Sequence, residues 1–315
     1  MIIPSKRLAA IDIGTNSFHL IIVEVTETGE LKFLDREREF LRLGSEFGED
    51  LSFISDNEIQ KAVVVLKRFS SLANHYKASI RAVSTSAVRE SQNKLEFINT
   101  MFEQTGIKVE TIEGPEEANL IFLGMKNALP LYDKSVLGID IGGGSTEFIY
   151  GVNGKSVFAE SVKIGAVRLS KKFFPDFIIT DFAVKQCSDY VEKLIEVNPN
   201  IKTNVNIDFA VGSSGTIDTI CMINRAKSKT KIKTKLNGYE FDKSDLNEIY
   251  NYVMNLKTPA ERTNVKGIEA KRADIIPAGF IIIKKVFEIF NIKKMVLSEY
   301  ALREGVVYDL INRSK

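Results

Sequence analysis

The stretch "LGIDIGGGSTEFIYGV", residues 137–152, places one carboxylate and three consecutive glycines between two apolar runs. A related stretch, "AIDIGTNSFHLIIVEV", occupies residues 10–25, and the two share the pattern Ile-Asp-Ile-Gly-x-x-Ser. Each stretch predicts a β-hairpin with a strand, a glycine turn and a second strand. Because the repeat is far longer than a solenoid unit, it indicates two related domains.

The rest of the chain alternates strand-like and helix-like segments. "DNEIQKAVVVLKRFSSLANHY" predicts an amphipathic helix that begins at Asp56, and "VETIEGPEEANLIFLGMKNAL" predicts a strand followed by a helix. "NIDFAVGSSGTIDTICMI" predicts a strand broken by a glycine turn, and "KRADIIPAGFIIIKKVFEIFN" predicts a helix after a proline-bearing turn. This alternation is typical of an α/β fold with largely buried sheets.

Composition narrows the class of protein. The chain has 315 residues, a length that favours two domains over one. Hydrophobic residues make up 44% of the chain and charged residues 27%, which matches the averages of globular proteins. No apolar run approaches the roughly 20 residues of a membrane helix, and no signal-peptide pattern opens the chain. With 43 basic and 41 acidic residues, no attraction to duplex nucleic acid or membrane is expected.

Cysteines and histidines are few. Cys187 and Cys221 are the only cysteines and lie far apart, which argues against a disulfide framework and fits a reducing cytoplasm. Two histidines are too few for a histidine-rich zinc site or a well-supported Ser-His-Asp triad. The chemistry is therefore expected to use carboxylates and arginines.

One segment is locally basic. Lysines alternate along residues 225–235, which favours a solvated loop or a lysine-protected edge strand over a track that binds a polyanion.

Three glycine turns follow strand-like runs: the first at residues 14–17, the second at 142–146 and the third at 212–216. Such turns free backbone N–H groups to point at one place, and glycine lets a phosphate approach without a clashing Cβ. One glycine turn has ordinary structural uses. Three on a repeated framework favour phosphate binding.

Carboxylates accompany these turns. Asp12 and Asp140 lie inside apolar strands, where an unpaired charge is costly, so each needs either a Mg²⁺ ion or hydrogen bonds from its glycine loop. Glu147 is either a second carboxylate at the same place or an exposed strand residue. Glu116 and Glu117 fall in the first turn of a predicted helix, where glutamate either caps the helix or stays ionised to activate a water. Composition alone favours capping.

Seven motifs resemble the Ppx/GppA phosphatases, a family of exopolyphosphatases and guanosine pentaphosphate phosphohydrolases. In chain order they are "AAIDIGTNSFHL", "STSAVRE", "EGPEEANLIFLG", "GIDIGGGSTEF", "AVGSSGTI", "GIEAKRADIIPAG" and "SEYALREGVVYDL".

The resemblance implies a two-domain actin-like fold of the sugar kinase, heat-shock ATPase and actin superfamily. Each domain would be a mixed sheet with flanking helices, and the active site would lie in the interdomain cleft. The domains would comprise residues 1–128 and 129–299, with a final helix over residues 300–315 packing back on the first. Many family members continue into a helical C-terminal module, so the resemblance is to a short form.

The resemblance also implies roles for individual residues. Glu117 would position or activate the attacking water, while Asp140, Glu147 and Asp12 would lie on the Mg²⁺ side. A monovalent cation such as K⁺ is a further implied cofactor. The implied phosphate-binding residues are Thr15, Asn16, Ser17, Arg89, Gly142, Gly143, Gly144, Ser145, Thr146, Gly212, Ser213, Ser214, Gly215 and Arg272. Water as nucleophile requires no covalent residue and no histidine.

The expected activity is Mg²⁺-dependent hydrolysis of the terminal phosphate of inorganic polyphosphate by a cytoplasmic homodimer. The same chemistry on guanosine pentaphosphate, with a role in the stringent response, is the nearest alternative. A small-molecule kinase of the same superfamily and a non-catalytic guanosine tetraphosphate sensor are two further alternatives.

Overall fold

The computed structural model describes residues 6–44, 52–227 and 236–313. The chain folds into two compact units, one formed by Met1–Gly124 with Leu302–Lys315 and the other by Met125–Ala301. Within the described ranges, no helix combines the length and the apolar character needed to cross a bilayer. Residues 228–235 of the lysine-alternating segment lie outside the described residues.

The first unit contains a five-stranded sheet. Its strands are β1 (Lys6–Ile13), β2 (Ser17–Val25), β3 (Leu31–Phe40), β4 (Ser79–Ser84) and β5 (Val109–Thr111), and its helices include α1 (Asp56–His75), α2 (Ser86–Glu90), α3 (Lys94–Thr105) and most of α4 (Gly114–Ala128). The strand order is β3-β2-β1-β4-β5. Strands β1, β2 and β3 pair antiparallel, whereas β4 and β5 run parallel to β1.

The second unit contains a six-stranded sheet. Its strands are β6 (Ser135–Ile141), β7 (Thr146–Val152), β8 (Lys155–Val162), β9 (Phe209–Ser213), β10 (Glu240–Asp242) and β11 (Lys294–Leu297). Its helices are α5 (Ala166–Phe173), α6 (Asp181–Glu196), α7 (Gly215–Lys227), α8 (Lys243–Asn255), α9 (Pro259–Thr263) and α10 (Ile276–Ile289). The last helix of the chain, α11 (Leu302–Arg313), belongs to the first unit and packs against β1 and β2.

The two sheets repeat one topology. The second has the order β10-β11-β9-β6-β7-β8, in which β6, β7 and β8 pair antiparallel like β1, β2 and β3. Strands β9 and β11 follow β6 in parallel, as β4 and β5 follow β1. Both predicted hairpins are confirmed, because β1 pairs with β2 and β6 with β7 across the glycine turns.

Local signals explain where the helices begin. Helix α1 begins at Asp56, as predicted, because Ser55 and Glu58 form a reciprocal capping box. The third glycine turn leads from β9 into helix α7 instead of interrupting a strand. The expected proline-bearing turn before α10 is wrong in one respect: Pro277 lies inside the first helical turn, where its missing N–H costs no hydrogen bond.

Topology gathers the motifs at one edge of each sheet. Because β1, β4 and β5 are parallel, their carboxyl ends share an edge, where the first glycine turn, α2 and α4 begin. In the second unit the carboxyl ends of β6, β9 and β11 likewise carry the second turn, the third turn and residues 298–301.

Candidate active site

The first glycine turn contains buried polar groups that lack partners. The Gly14 N–H donates to the Ser17 carbonyl at 3.2 Å, and the Asn16 carbonyl accepts from the N–H groups that follow β3. Thr15 and Asn16 are buried, yet Thr15 Oγ1 and both polar side-chain atoms of Asn16 have no hydrogen-bond partner within the described residues. An unsatisfied buried polar group costs about 1–3 kcal/mol. Such a cost indicates a loop shaped for a polar ligand.

Ser17 closes the first turn and begins a short chain of polar contacts. Its Oγ lies 2.9 Å from Nε2 of His19, and Nδ1 of His19 lies 3.2 Å from Nη1 of Arg303 on α11. Asp12 pairs directly with His19 across β1 and β2, so both side chains project from the same face of the sheet.

Glu117 is a buried carboxylate in the first turn of α4, only 6% exposed. Nη1 of Arg89 donates to its Oε2 at 2.7 Å and to the carbonyl oxygen of Ile112 at 3.0 Å. The Arg89 side chain is only 12% exposed. The structure brings Arg89 to the proposed water-activating carboxylate, a contact that the sequence did not indicate.

A row of four polar side chains crosses the second sheet. Register pairs Ser161 with Glu147, Glu147 with Asp140, and Asp140 with Ser213. Oε1 of Glu147 accepts from the hydroxyls of Ser145 and Ser161, each at 2.7 Å, and Oδ2 of Asp140 accepts from the Ser213 hydroxyl. Glu147 is 1% exposed, so its interpretation as an exposed strand residue is wrong.

The two carboxylates of the row are groups that could hold a divalent cation such as Mg²⁺. Like charges directly opposite each other on neighbouring strands destabilise a sheet, so the Asp140 and Glu147 carboxylates favour a cation beside them. The described residues contain no group of three or more His, Cys, Asp or Glu side chains able to hold a metal. Mg²⁺ needs no such group, since one or two carboxylates with water and substrate phosphate suffice.

The second glycine turn is held from one side by the N-terminal end of α5. Four hydrogen bonds run from α5 to this turn: Ala166 N to Gly142 O (2.9 Å), Val167 N to Gly143 O (2.9 Å), Arg168 N to Gly143 O (3.1 Å) and Arg168 Nε to Gly144 O (2.8 Å). Three successive loop carbonyls therefore accept from α5. Thr146 is also engaged, since its hydroxyl donates to the carbonyl of Ile164.

This arrangement fixes the direction of the loop amides. No described peptide bond is cis, and in a trans peptide the C=O and N–H point in opposite directions. With the carbonyls of residues 142–144 turned to α5, the N–H groups of Gly143, Gly144 and Ser145 point away from it. Successive N–H groups aimed one way form an anion-binding concavity.

Two glycines make close contacts that a side chain would prevent. A Cβ on Gly165 would lie 2.3 Å from the carbonyl oxygen of Gly143, so only glycine lets α5 approach the second turn. A Cβ on Gly215 would lie 2.0 Å from the guanidinium carbon of Arg272, so Arg272 covers the start of α7. Nε of Arg272 also donates to Glu269 at 3.1 Å. The third turn thus combines a helix N-terminus with an arginine, a pairing suited to an anion.

The sequence alone does not indicate several of these residues. Arg168 and Ser161 act through contacts 24 and 14 residues distant in sequence, and Arg303 reaches His19 from the opposite end of the chain. Register between β7 and β8 would have revealed Ser161, whereas no local signal marks the other contacts.

Two units that repeat one strand order, each with polar loops at the carboxyl edge, define the actin-like class expected from the sequence. A model described as "Ppx/GppA phosphatase family" matches residues 21–314. The chain belongs to the Ppx/GppA phosphatase family.

Individual relatives agree with this assignment. A putative exopolyphosphatase of Haemophilus influenzae is 30% identical, with 97% of this chain and 91% of that protein covered. A guanosine-5'-triphosphate,3'-diphosphate pyrophosphatase of Photobacterium profundum is also 30% identical over 99% of this chain, which spans 60% of that protein's length. The crystal structure of an exopolyphosphatase from Cytophaga hutchinsonii superposes with a TM-score of 0.91 at 29% identity, covering 98% of this chain and 99% of that one.

Proposed function

We propose that this protein is a Mg²⁺-dependent phosphohydrolase that removes the terminal phosphate of inorganic polyphosphate. The observation that carries the proposal is Glu117, a buried carboxylate at a helix N-terminus whose position is fixed by Arg89. Similarity to the exopolyphosphatase of C. hutchinsonii over nearly the whole of both chains supports polyphosphate as the substrate.

Glu117 has the chemistry of a water-positioning base. Its carboxylate accepts hydrogen bonds only, so a bound water would donate to it and direct a lone pair at phosphorus. Arg89 holds one carboxylate oxygen in place, which reduces the side-chain freedom that a productive geometry must overcome. A guanidinium has five N–H donors, so this contact is compatible with a further contact to a phosphate oxygen.

Charge neutralisation would come from the glycine turns and the carboxylate row. The amides of the second turn and Arg272 at the third turn would bind phosphate oxygens, on which negative charge is spread during phosphoryl transfer. Asp140 and Glu147 would hold Mg²⁺, which would supply further neutralisation of the phosphate oxygens. In the first unit, Thr15 and Asn16 would satisfy their buried polar atoms on an anion.

Guanosine pentaphosphate is the second candidate substrate. The observation in its favour is the similarity to the P. profundum pyrophosphatase across almost all of this chain. The same groups would act on a terminal phosphate in either compound.

The test compares Glu117→Gln with Glu116→Gln, its exposed neighbour in the same helical turn. Phosphate release is measured from polyphosphate and from guanosine pentaphosphate, with Mg²⁺ and with excess EDTA. We expect Glu117→Gln to lower kcat about 10²- to 10⁴-fold, the usual contribution of a general base. Glu116→Gln should keep wild-type turnover, and EDTA should abolish it.

Each outcome decides a separate point. Wild-type turnover in Glu117→Gln would contradict the role assigned to that carboxylate. Full activity in EDTA would contradict the requirement for a metal. The ratio of kcat/KM for the two compounds identifies the substrate. If phosphate is released from neither compound, the proposed function is contradicted.

A further inference from the structure

The two hairpin turns carry serines at matching positions, Ser17 and Ser145, and each serine contacts the side chain two residues later. In the first unit that side chain is His19, and in the second it is Glu147. A serine hydroxyl has one proton to donate and two lone pairs that accept. The partner therefore determines which of these remains for a ligand.

Ser145 uses its proton within the protein. A carboxylate can only accept hydrogen bonds, so at 2.7 Å the Ser145 hydroxyl donates to Oε1 of Glu147. The Ser145 side chain then has no proton to offer a phosphate oxygen. Its backbone N–H remains the group directed at an anion.

The Ser17 hydroxyl accepts a hydrogen bond from its partner instead of donating one, and Arg303 determines this direction. A guanidinium donates and cannot accept, so its contact at 3.2 Å requires Nδ1 of His19 to be the acceptor. The ring proton then lies on Nε2 and is donated to Ser17 Oγ at 2.9 Å. With one Oγ lone pair occupied by His19, the Ser17 proton is available to a ligand.

We propose that Arg303 and His19 are positioning residues that set Ser17 as the hydroxyl donor to a substrate phosphate oxygen. This inference rests on the proposed phosphohydrolase function. The two matching serines then have different roles. Ser145 donates to the carboxylate of Glu147, and Ser17 donates to a phosphate oxygen. His19 and Arg303 act on the substrate only through Ser17.

The position of Arg303 is fixed by the packing of α11. A Cβ on Gly305 would lie 1.8 Å from the carbonyl oxygen of Leu120, so α11 lies directly against the backbone of α4. Glu304, which lies between Arg303 and Gly305 in the sequence, is buried, and its Oε1 lies 3.8 Å from Nη2 of Arg303. The guanidinium is therefore held beside the imidazole by a closely packed helix.

The first test locates the ring proton and needs no activity. Only two histidines occur in the chain, so an exposed-site variant, His75→Gln, leaves a single imidazole for ¹⁵N NMR. We expect His19 to carry its proton on Nε2, and we expect Arg303→Met to give mixed tautomers. A proton on Nδ1 in the wild-type background overturns the inference.

The second test is a double-mutant cycle on polyphosphate hydrolysis. Ser17→Ala and His19→Phe should each raise KM about tenfold, about 1.4 kcal/mol, with kcat changed less than about threefold. Because His19 acts only through Ser17, the double variant should equal Ser17→Ala. His19→Gln, whose amide can donate near the position of Nε2, should restore most of the affinity.

Additive effects in the double variant, or a wild-type KM in His19→Phe, contradict the proposal. A merely structural histidine would lower stability without this equality and without rescue by glutamine. If the wild-type protein hydrolyses neither polyphosphate nor guanosine pentaphosphate, the proposed function fails, and the ring-proton result still decides the assignment of His19 and Arg303.

Discussion

Buried polar atoms without partners distinguish the first glycine turn from the second. Thr15 Oγ1 and the Asn16 amide have no partner within the described residues, whereas the Thr146 hydroxyl of the second turn donates to Ile164. A protein keeps unsatisfied groups of this kind where they serve binding, at a cost in stability.

Thr15→Val tests this trade-off at a single atom position. Valine has nearly the shape of threonine and removes the unsatisfied hydroxyl, so the free energy of unfolding should stay unchanged or rise by about 1 kcal/mol. The KM for polyphosphate should rise, because the substrate loses a hydrogen bond. Urea denaturation and steady-state kinetics measure the two effects.

Thr146→Val is the matched control. Its hydroxyl is bonded to the Ile164 carbonyl, so the same substitution should lower the free energy of unfolding by about 1 kcal/mol. If Thr15→Val is as destabilising as Thr146→Val, the Thr15 hydroxyl has a structural partner and the trade-off is absent.

At the scale of elements, α5 uses its N-terminal amides in an unusual way. A helix N-terminus commonly binds an anion directly. Here the amides of residues 166–168 donate to loop carbonyls, and the adjacent loop then presents its own amides. Arg168 completes the set by holding Gly144 through Nε while itself only 6% exposed.

Arg168→Met should free the peptide between Gly144 and Ser145 to rotate, because its carbonyl loses a charged donor. We expect KM for polyphosphate to rise about tenfold, the loss of roughly one charge-assisted hydrogen bond. Lys285→Met is the control, since Lys285 lies in the same unit and pairs with Glu192 and Glu288. It should lower stability and leave KM unchanged, and equal KM values for the two variants would contradict the role of Arg168.

The sequence predicted the elements better than it predicted their partners. The hairpins at Asp12 and Asp140 and the start of α1 follow from local patterns: apolar runs, glycine turns and a capping box. The carboxylate row requires the register of β6, β7, β8 and β9, which is set by tertiary pairing. The assignment of Glu117 to water activation stays a prediction, although its burial beside Arg89 could not have been read from helix-start signals.

At the scale of the whole molecule, one topology carries two different chemistries. The cross-strand row of the second unit is Ser161, Glu147, Asp140 and Ser213, and the corresponding row of the first unit is Arg38, His19, Asp12 and Val83. One row has two carboxylates and suits a cation, whereas the other has one carboxylate among basic groups. The two units therefore share a strand order and differ in the side chains of this row.

Each unit also has its own hydrophobic core, and both cysteines lie in the core of the second unit. Burial raises the pKa of the Cys187 thiol to about 12 and, with a contribution from Asp218, also raises the pKa of Cys221. Since the thiolate is the reactive form, a pKa near 12 leaves only about 10⁻⁴ of Cys187 reactive at pH 8.

Thiol labelling at pH 8 should therefore report unfolding of the second unit. We expect almost no modification of the native protein at pH 8 and full modification of both cysteines in denaturant. The rate of thiol modification in the native protein should rise about tenfold per pH unit, because the thiolate fraction does. An exposed cysteine introduced by Ser71→Cys on α1 of the first unit gives the rate for an accessible thiol. Native Cys187 or Cys221 reacting at that rate would show that the second core opens readily, contrary to the close packing of its strands and helices.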